Sequence, residues 1–276
     1  MNSALTTTLS VALFTVFALV PLRPRRSRPF NVQFALGWWM NEVPFIGLWW
    51  LAAGTWSTLL NPQSEFWWWL TAATTVLVAV MLGWILVRAG STRRTLSTAL
   101  QDVYGPRGAV SGARAAWWRI VLLPIVSWRP DVRRIRNRRY GPARLGHLLD
   151  VYVSRRRGSG APAPVLVYFH GGGLGGRGWG GKSIFAHALL YRLAARGWVC
   201  ISANFRIYGA RYGDQVTDVR DALGWVRAHA NEFGGDPEAL FVAGGSSGAN
   251  LAATAALTGT PVRGVVPFYG YYGPVG

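Results

Sequence analysis

Long apolar runs open the chain, and short apolar strings alternating with amphipathic ones close it. Ala4 to Val20 carries no charge and is about as short as a membrane span can be. Phe34 to Leu60 is also apolar but holds Asn41, Glu42 and Pro44. A charge at mid-bilayer costs a few kcal/mol, so this second span is predicted to begin near Pro44, with Glu42 left at the interface. Phe66 to Val87 is the clearest span, with Trp67, Trp68 and Trp69 at one interface and Arg88 ending it.

From about Arg138 the period changes. "HLLDVYVSR", "VLVYFH", "WVCISANF", "ALFVAGG" and "VRGVVPFYG" read as strands, with "VLVYFH" and "WVCISANF" as buried ones. Between them, "SIFAHALLYRLAARG", "DQVTDVRDALGWVRAHANEFGG" and "ANLAATAAL" have helical spacing, and the first two end in glycine. Strand and helix alternate, which predicts a mostly parallel sheet with helices on both faces.

Charge adds an orientation. The net charge is +18, and Lys182 is the one lysine in 276 residues. Arg23, Arg25, Arg26 and Arg28 follow the first apolar run, "NPQSE" between the second and third has no basic residue, and Arg88, Arg93 and Arg94 follow the third. Cytoplasmic loops collect arginine, so the N-terminus is predicted outside and everything after residue 88 inside. Sixteen arginines against three acids lie between Arg88 and Arg157. Within that stretch "AAWWRIVLLPIVSWRP" reads either as an interfacial segment near anionic headgroups or as a packing helix with a solvated basic linker. The charges lie beside the predicted spans and accompany no nucleic-acid motif, so no nucleic-acid partner is expected. The expected organisation is a transmembrane region over 1–90 (spans about 4–20, 44–60 and 66–87), a basic juxtamembrane linker over 91–137, and an α/β domain over 138–276. The single Cys200 sits in an apolar run and excludes an internal disulfide.

Two glycine-rich motifs carry the chemistry. Gly244-Gly245-Ser246-Ser247-Gly248 is a Gly-x-Ser-x-Gly, where the glycines let the chain turn tightly enough to project a nucleophilic serine. "HGGG", His170 to Gly173, directly follows a buried strand. A serine attacking an ester carbonyl builds an oxyanion, which backbone N–H groups must already face, and the N–H of Ser247 is one candidate. His170 is expected to orient its loop, and His147, His187 and His229 to be structural or solvent-facing. Asp214, Asp218 and Asp221 are expected to serve the helix dipole.

Together these motifs resemble the α/β-hydrolase fold over roughly residues 138–276, and more narrowly the esterase and lipase group that includes hormone-sensitive lipase. The membrane region is similar to that of membrane-anchored actinobacterial esterases. The resemblance implies hydrolysis of a small ester or lipid through an acyl-enzyme on Ser246. It implies an oxyanion hole from Gly172, Gly173 and Ser247, with His170, Gly171, Gly244 and Gly248 shaping the motifs, and neither cofactor nor metal.

In that family an acid and a histidine follow the serine, yet Ser247 to Gly276 contains no Asp, Glu or His. The expectation is therefore a piece of a longer serine esterase holding the N-terminal portion of the hydrolase domain, poorly active by itself. A membrane-bound pseudoenzyme that binds or scaffolds is the alternative. A lesser one is a nucleotide site, since "GRGWGGKS", Gly176 to Ser183, fits the P-loop spacing and Gly173, Gly175 and Gly178 form a Gly-x-Gly-x-x-Gly. Against it, no apolar strand ending in Asp offers a magnesium partner, and no acid stands at the dinucleotide spacing.

Overall fold

The computed structural model describes residues 3–20, 36–38, 40–41, 43–60, 64–108, 121, 127–156, 160–174, 180–182 and 186–272. Glu42, Arg23 to Arg28, most of the "AAWWRIVLLPIVSWRP" stretch, and Gly175 to Trp179 with Ser183 lie outside the described residues. The chain divides into two compact units, residues 1–125 and 126–276.

In the first unit α1 (Ser3–Leu19), α2 (Pro44–Leu60) and α3 (Glu65–Tyr104) pack against one another. Pro44 opens α2, where its missing N–H costs nothing. Gly47, Leu51, Gly54 and Thr58 are buried along one stripe of α2, and Thr71, Val78, Leu82 and Ile85 along α3. The interior admits small and hydroxyl-bearing residues, while Trp49, Trp56, Leu77, Val80 and Trp84 face outward. The buried threonines return their hydroxyls to the backbone one turn back: Thr15 to Val11 O at 2.7 Å, Thr58 to Gly54 O at 3.0 Å, Thr71 to Trp67 O at 2.8 Å. α3 contains a window of mean hydropathy 2.2, long and apolar enough to cross a membrane. It does not stop at Val87. It runs through Arg88, Arg93 and Arg94 until Gly105, at φ 60°, caps it, because no proline interrupts the stretch. The expected linker from residue 91 thus begins as helix.

Among the described residues the second unit holds a six-stranded sheet ordered β1-β2-β4-β3-β5-β6. Its strands are β1 (Val132–Arg139), β2 (Leu148–Ser154), β3 (Ala163–Phe169), β4 (Val199–Ala203), β5 (Gly235–Gly245) and β6 (Gly264–Phe268). β2 is antiparallel to both neighbours and the remaining pairs are parallel, so β2 alone runs against the rest of a sheet expected to be mostly parallel. β1 falls inside the stretch assigned from sequence to the linker. "VRRIRNRR" has no apolar alternation, and its strand state comes from pairing with β2. The sheet of the second unit therefore starts at Val132, ahead of the residue at which the α/β pattern becomes legible in sequence.

β3 and β4 are covered on both faces. α4 (His187–Ala194) lies on one face, its Leu190, Tyr191 and Ala194 packed with Tyr152, Leu166, Tyr168 and Cys200. α5 (Tyr212–His229) and α6 (Ser247–Leu257) lie on the other, burying Val219, Leu223, Val226 and Leu251 against Val151, Val167, Ile201 and Val242. Cys200 is wholly buried, and burial pushes its thiol pKa well up, so it is a small core residue. From β3 the chain crosses to β4 on one side, then returns over the opposite face to β5 on the other. In open α/β sheets ligands bind outside the carboxyl ends at such a switch point. Here that place is the end of β3 and β5, which carries both glycine-rich motifs.

Candidate active site

β5 runs into Ser246, and α6 starts directly after it. Ser246 sits at φ 51° and ψ −118°, a conformation that non-glycine residues adopt only when their surroundings impose it. Its N–H donates to Phe268 O of β6 at 3.0 Å, and its carbonyl accepts from Ala249 and Asn250 at 3.1 and 3.2 Å. From Val242 to Ala252 every residue is buried except Ser246. The turn thus places one hydroxyl-bearing side chain at the surface of an otherwise closed strand–helix junction.

The motif glycines are required by close packing. A Cβ on Gly244 would strike the Gly248 carbonyl, and one on Gly248 would strike the carbonyls of Phe169 and His170. Gly171 lies so close that a Cβ there would sit 3.1 Å from the Ser246 Cβ. The serine turn is therefore pressed against the end of β3 and the loop that follows.

In that loop Gly172 and Gly173 hold φ of 137° and 123°, conformations that favour glycine. The Gly173 N–H donates to Ser247 Oγ at 3.1 Å and so ties the loop to the first turn of α6. In this arrangement that N–H is engaged, and it must leave Ser247 Oγ or share itself to serve an oxyanion. The N–H of Ser247 belongs to the first turn of α6, where no intrahelical acceptor exists.

His170, expected to orient its loop, is packed inside the fold at the end of β3. It is 1% exposed, its ring stacks on Phe205 at 4.7 Å and 15°, and its Nδ1–H donates to Gly171 O at 2.7 Å. Burial holds its pKa below the ordinary histidine value, outweighing the carbonyl contact, so the ring is neutral. Gly180 packs on the same place, where a Cβ would meet Gly171 O and lie 2.8 Å from His170 Nδ1. A cleft of about 500 Å³ adjoins His170, lined also by Leu148, Asn204, Phe205, Ile207 and Tyr208.

Among the described residues no hydrogen bond joins any of the four histidines to Ser246. His187 Nε2 lies 3.3 Å from Lys182 O, and His229 stacks on Trp225. His147 accepts the Ala143 N–H at Nδ1 and places Nε2 2.9 Å from Asp218 Oδ1, out of line for a hydrogen bond. Sequence alone assigns Asp218 to the helix dipole. It is instead fully buried and bound by Arg206 through Nε and Nη2, a pairing between β4's exit and α5 that no local pattern announces. Asp214 does cap α5, accepting the Arg211 N–H at 2.8 Å.

Lys182, the lysine of the P-loop match, donates to Asp150 Oδ1 at 2.5 Å and Asn137 Oδ1 at 2.9 Å. Its charge is neutralised inside the fold, which removes what a P-loop lysine brings to a phosphate. Burial works against the Asp150 carboxylate, but Lys182, the Asn137 N–H and Arg134 together hold its pKa below the ordinary value. The Lys182 backbone is anchored too: its N–H donates to Asn204 Oδ1 at 2.7 Å, and its carbonyl accepts from Ser202 Oγ at 3.1 Å. Sequence reading misses this support; its signal is an Asp in a buried strand and a lone Lys two residues after Gly180. Among the described residues no cluster of His, Cys, Asp or Glu is placed to hold a metal ion.

Residues 149–264 match the family model BD-FAE. The probable carboxylic ester hydrolase LipM of Mycobacterium tuberculosis is 37% identical over 150 residues, covering 48% of this chain and 33% of that protein. Esterase LipC of the same organism is 37% identical over 167 residues, 52% of this chain and 40% of that one. Esterase LipQ is 34% identical over 149 residues, 48% and 34%. The matched stretch thus spans less than half the length of these relatives. A solved esterase of Thermogutta terrifontis with butyrate bound overlaps in part, with a TM-score of 0.41 at 25% identity over 51% of this chain and 54% of that chain. Over residues 149–264 the chain is similar to the esterases of the α/β-hydrolase kind.

Proposed function

We propose that the protein is a membrane-anchored serine hydrolase acting on carboxylic esters, with Ser246 as nucleophile. The observation that carries this reading is the strained, solvent-facing Ser246 at the topological switch point, pressed against a glycine loop at positive φ. The Ser246 hydroxyl attacks the ester carbonyl, the alcohol leaves, and the acyl-enzyme is then hydrolysed. The N–H groups of Ser247, Gly172 and Gly173 receive the oxyanion, each worth a few kcal/mol in the transition state. The relatives named as ester hydrolases support the substrate class, and the cleft beside His170 offers room for an apolar substituent.

Among the described residues no base or acid is brought to Ser246, and the 276-residue chain by itself is proposed to be catalytically poor. The same observation favours a second reading, a hydrolase-like binding protein without turnover. The helical unit is proposed to span the membrane three times, with the sheet unit on the cytoplasmic side, supported by α3 and the arginine distribution.

The test is hydrolysis of p-nitrophenyl butyrate by membranes carrying the complete product of the gene. Ser246→Ala is expected to lower the rate about a thousandfold or more. Undiminished hydrolysis in that variant would remove Ser246 from the mechanism. Absence of turnover in the unaltered protein would favour the binding reading.

A further inference from the structure

Among the described residues β1 is the outer strand of the sheet, hydrogen-bonded to β2 alone. On it Arg133, Arg136, Arg138 and Arg139 are exposed, and beside its start Arg155 and Arg156 extend from the end of β2. Among the described residues none of these six is bridged to a carboxylate. The acids of this edge are already taken: Asp131 by Arg129 at 2.8 Å, and Asp150 by Arg134 and Lys182. Glu238 and Asp236 stand on β5, four strands across the sheet.

The edge is also built. The pairing of β1 with β2 shifts between Ile135 and Arg138, a bulge centred on Asn137 at φ 57°. Asn137 donates its N–H to Asp150 Oδ1 at 2.9 Å and accepts from Lys182 Nζ. The buried network therefore holds the bulge, and the bulge sets where the last arginines of the strand point. Isolated charged side chains serve to keep an edge from pairing with another sheet. Six guanidinium groups of one sign, with their local carboxylates consumed, exceed that need. Guanidinium is the side chain best matched to phosphate geometry. β1 begins a few residues after the helical unit that holds the candidate membrane span.

We propose that this arginine edge docks on the anionic phospholipid surface of the membrane that holds the helical unit. The proposal rests on the membrane reading given above and adds the face of the sheet unit that meets the lipid. Each arginine near an anionic surface is worth about fivefold in partitioning, so four of them make a large, salt-sensitive contribution.

The experiment is hydrogen–deuterium exchange on the full chain in nanodiscs of phosphatidylcholine, with and without phosphatidylglycerol. Exchange across 132–139 is expected to slow about tenfold when phosphatidylglycerol is present and to recover in high salt. The variant R133Q/R136Q/R138Q/R139Q loses this protection, while R192Q/R196Q, on and beside α4, keeps it. Equal exchange of β1 in both lipids would overturn the proposal, and so would protection that survives in the quadruple variant. Protection produced by nucleic acid in detergent, and not by phosphatidylglycerol, would overturn it as well. Carbonate extraction of the same membranes tests the anchor separately. If the chain is released, the anchor reading fails, and β1 exchange with phosphatidylglycerol vesicles still decides the docking face.

Discussion

At Ser246 a single residue carries a backbone conformation that costs stability. Its φ of 51° is one a glycine would accept with less strain. Replacing it with glycine is expected to raise unfolding stability by about 1–2 kcal/mol relative to Ser246→Ala, since both remove the hydroxyl but only glycine relieves the backbone. Chemical denaturation of the two variants checks this, and equal stability would show that no strain is stored there. Asp150 makes a second residue-scale prediction. Its side chain is fully buried, with Lys182 and Arg134 on its oxygens. Asp150→Asn leaves two cations without their partner and is expected to cost about 3 kcal/mol at pH 7. The folded carboxylate has its pKa below the ordinary 3.8, so the unfolded chain binds the proton first. The difference between wild type and Asp150→Asn is therefore full above pH 3.8 and shrinks as the pH falls below it. Asp218 titrates in the same region, but in both proteins, so it cancels from the comparison.

Among the elements, α2 shows how small residues set the approach of neighbouring helices. A Cβ on Gly47 would lie 3.0 Å from Met40 Sδ and 3.2 Å from Leu82 Cδ1, whereas one on Gly54 would find its neighbours at 3.8 Å. Small residues on such a stripe let backbones come close. Gly47→Val is expected to destabilise the helical unit by about 1–3 kcal/mol through overpacking, and Gly54→Ala to be neutral. Melting in detergent separates the two; equal melting temperatures would contradict the observed packing. The element hardest to read from sequence is β1. Arg133, Arg134, Arg136, Arg138 and Arg139 supply no apolar period, so "VRRIRNRR" looks like a solvated linker. Its strand state depends on β2, whose Asp150 pulls Arg134 inward. By contrast β3 is apolar throughout and β4 is so except for Ser202, and their type is legible because burial on both faces demands it.

For the whole molecule, the arginine distribution makes a topological prediction. Alkaline phosphatase fused after residue 62 should be active outside the cytoplasm. A fusion after residue 104, past the end of α3, should be inactive while a fluorescent-protein fusion there is bright. The reverse pattern would place the sheet unit on the other side of the membrane and contradict the proposed orientation.

The amino-acid sequence by itself determined whatever depends on neighbours a few residues apart. These are the apolar runs, the strand and helix periods, and the spelling of the two glycine motifs, though what presses on Gly248 and Gly171 comes from far along the chain. Even so it left open where the sheet begins, because β1 has no local signature. Only the tertiary structure brought Asp150 to Lys182, 32 positions along, and Gly173 to Ser247, 74 along. It also made β2 the lone reversed strand and turned Asp218 inward to Arg206. Such contacts depend on strand order, and strand order follows from burying both faces of one sheet, a condition no short stretch of sequence carries.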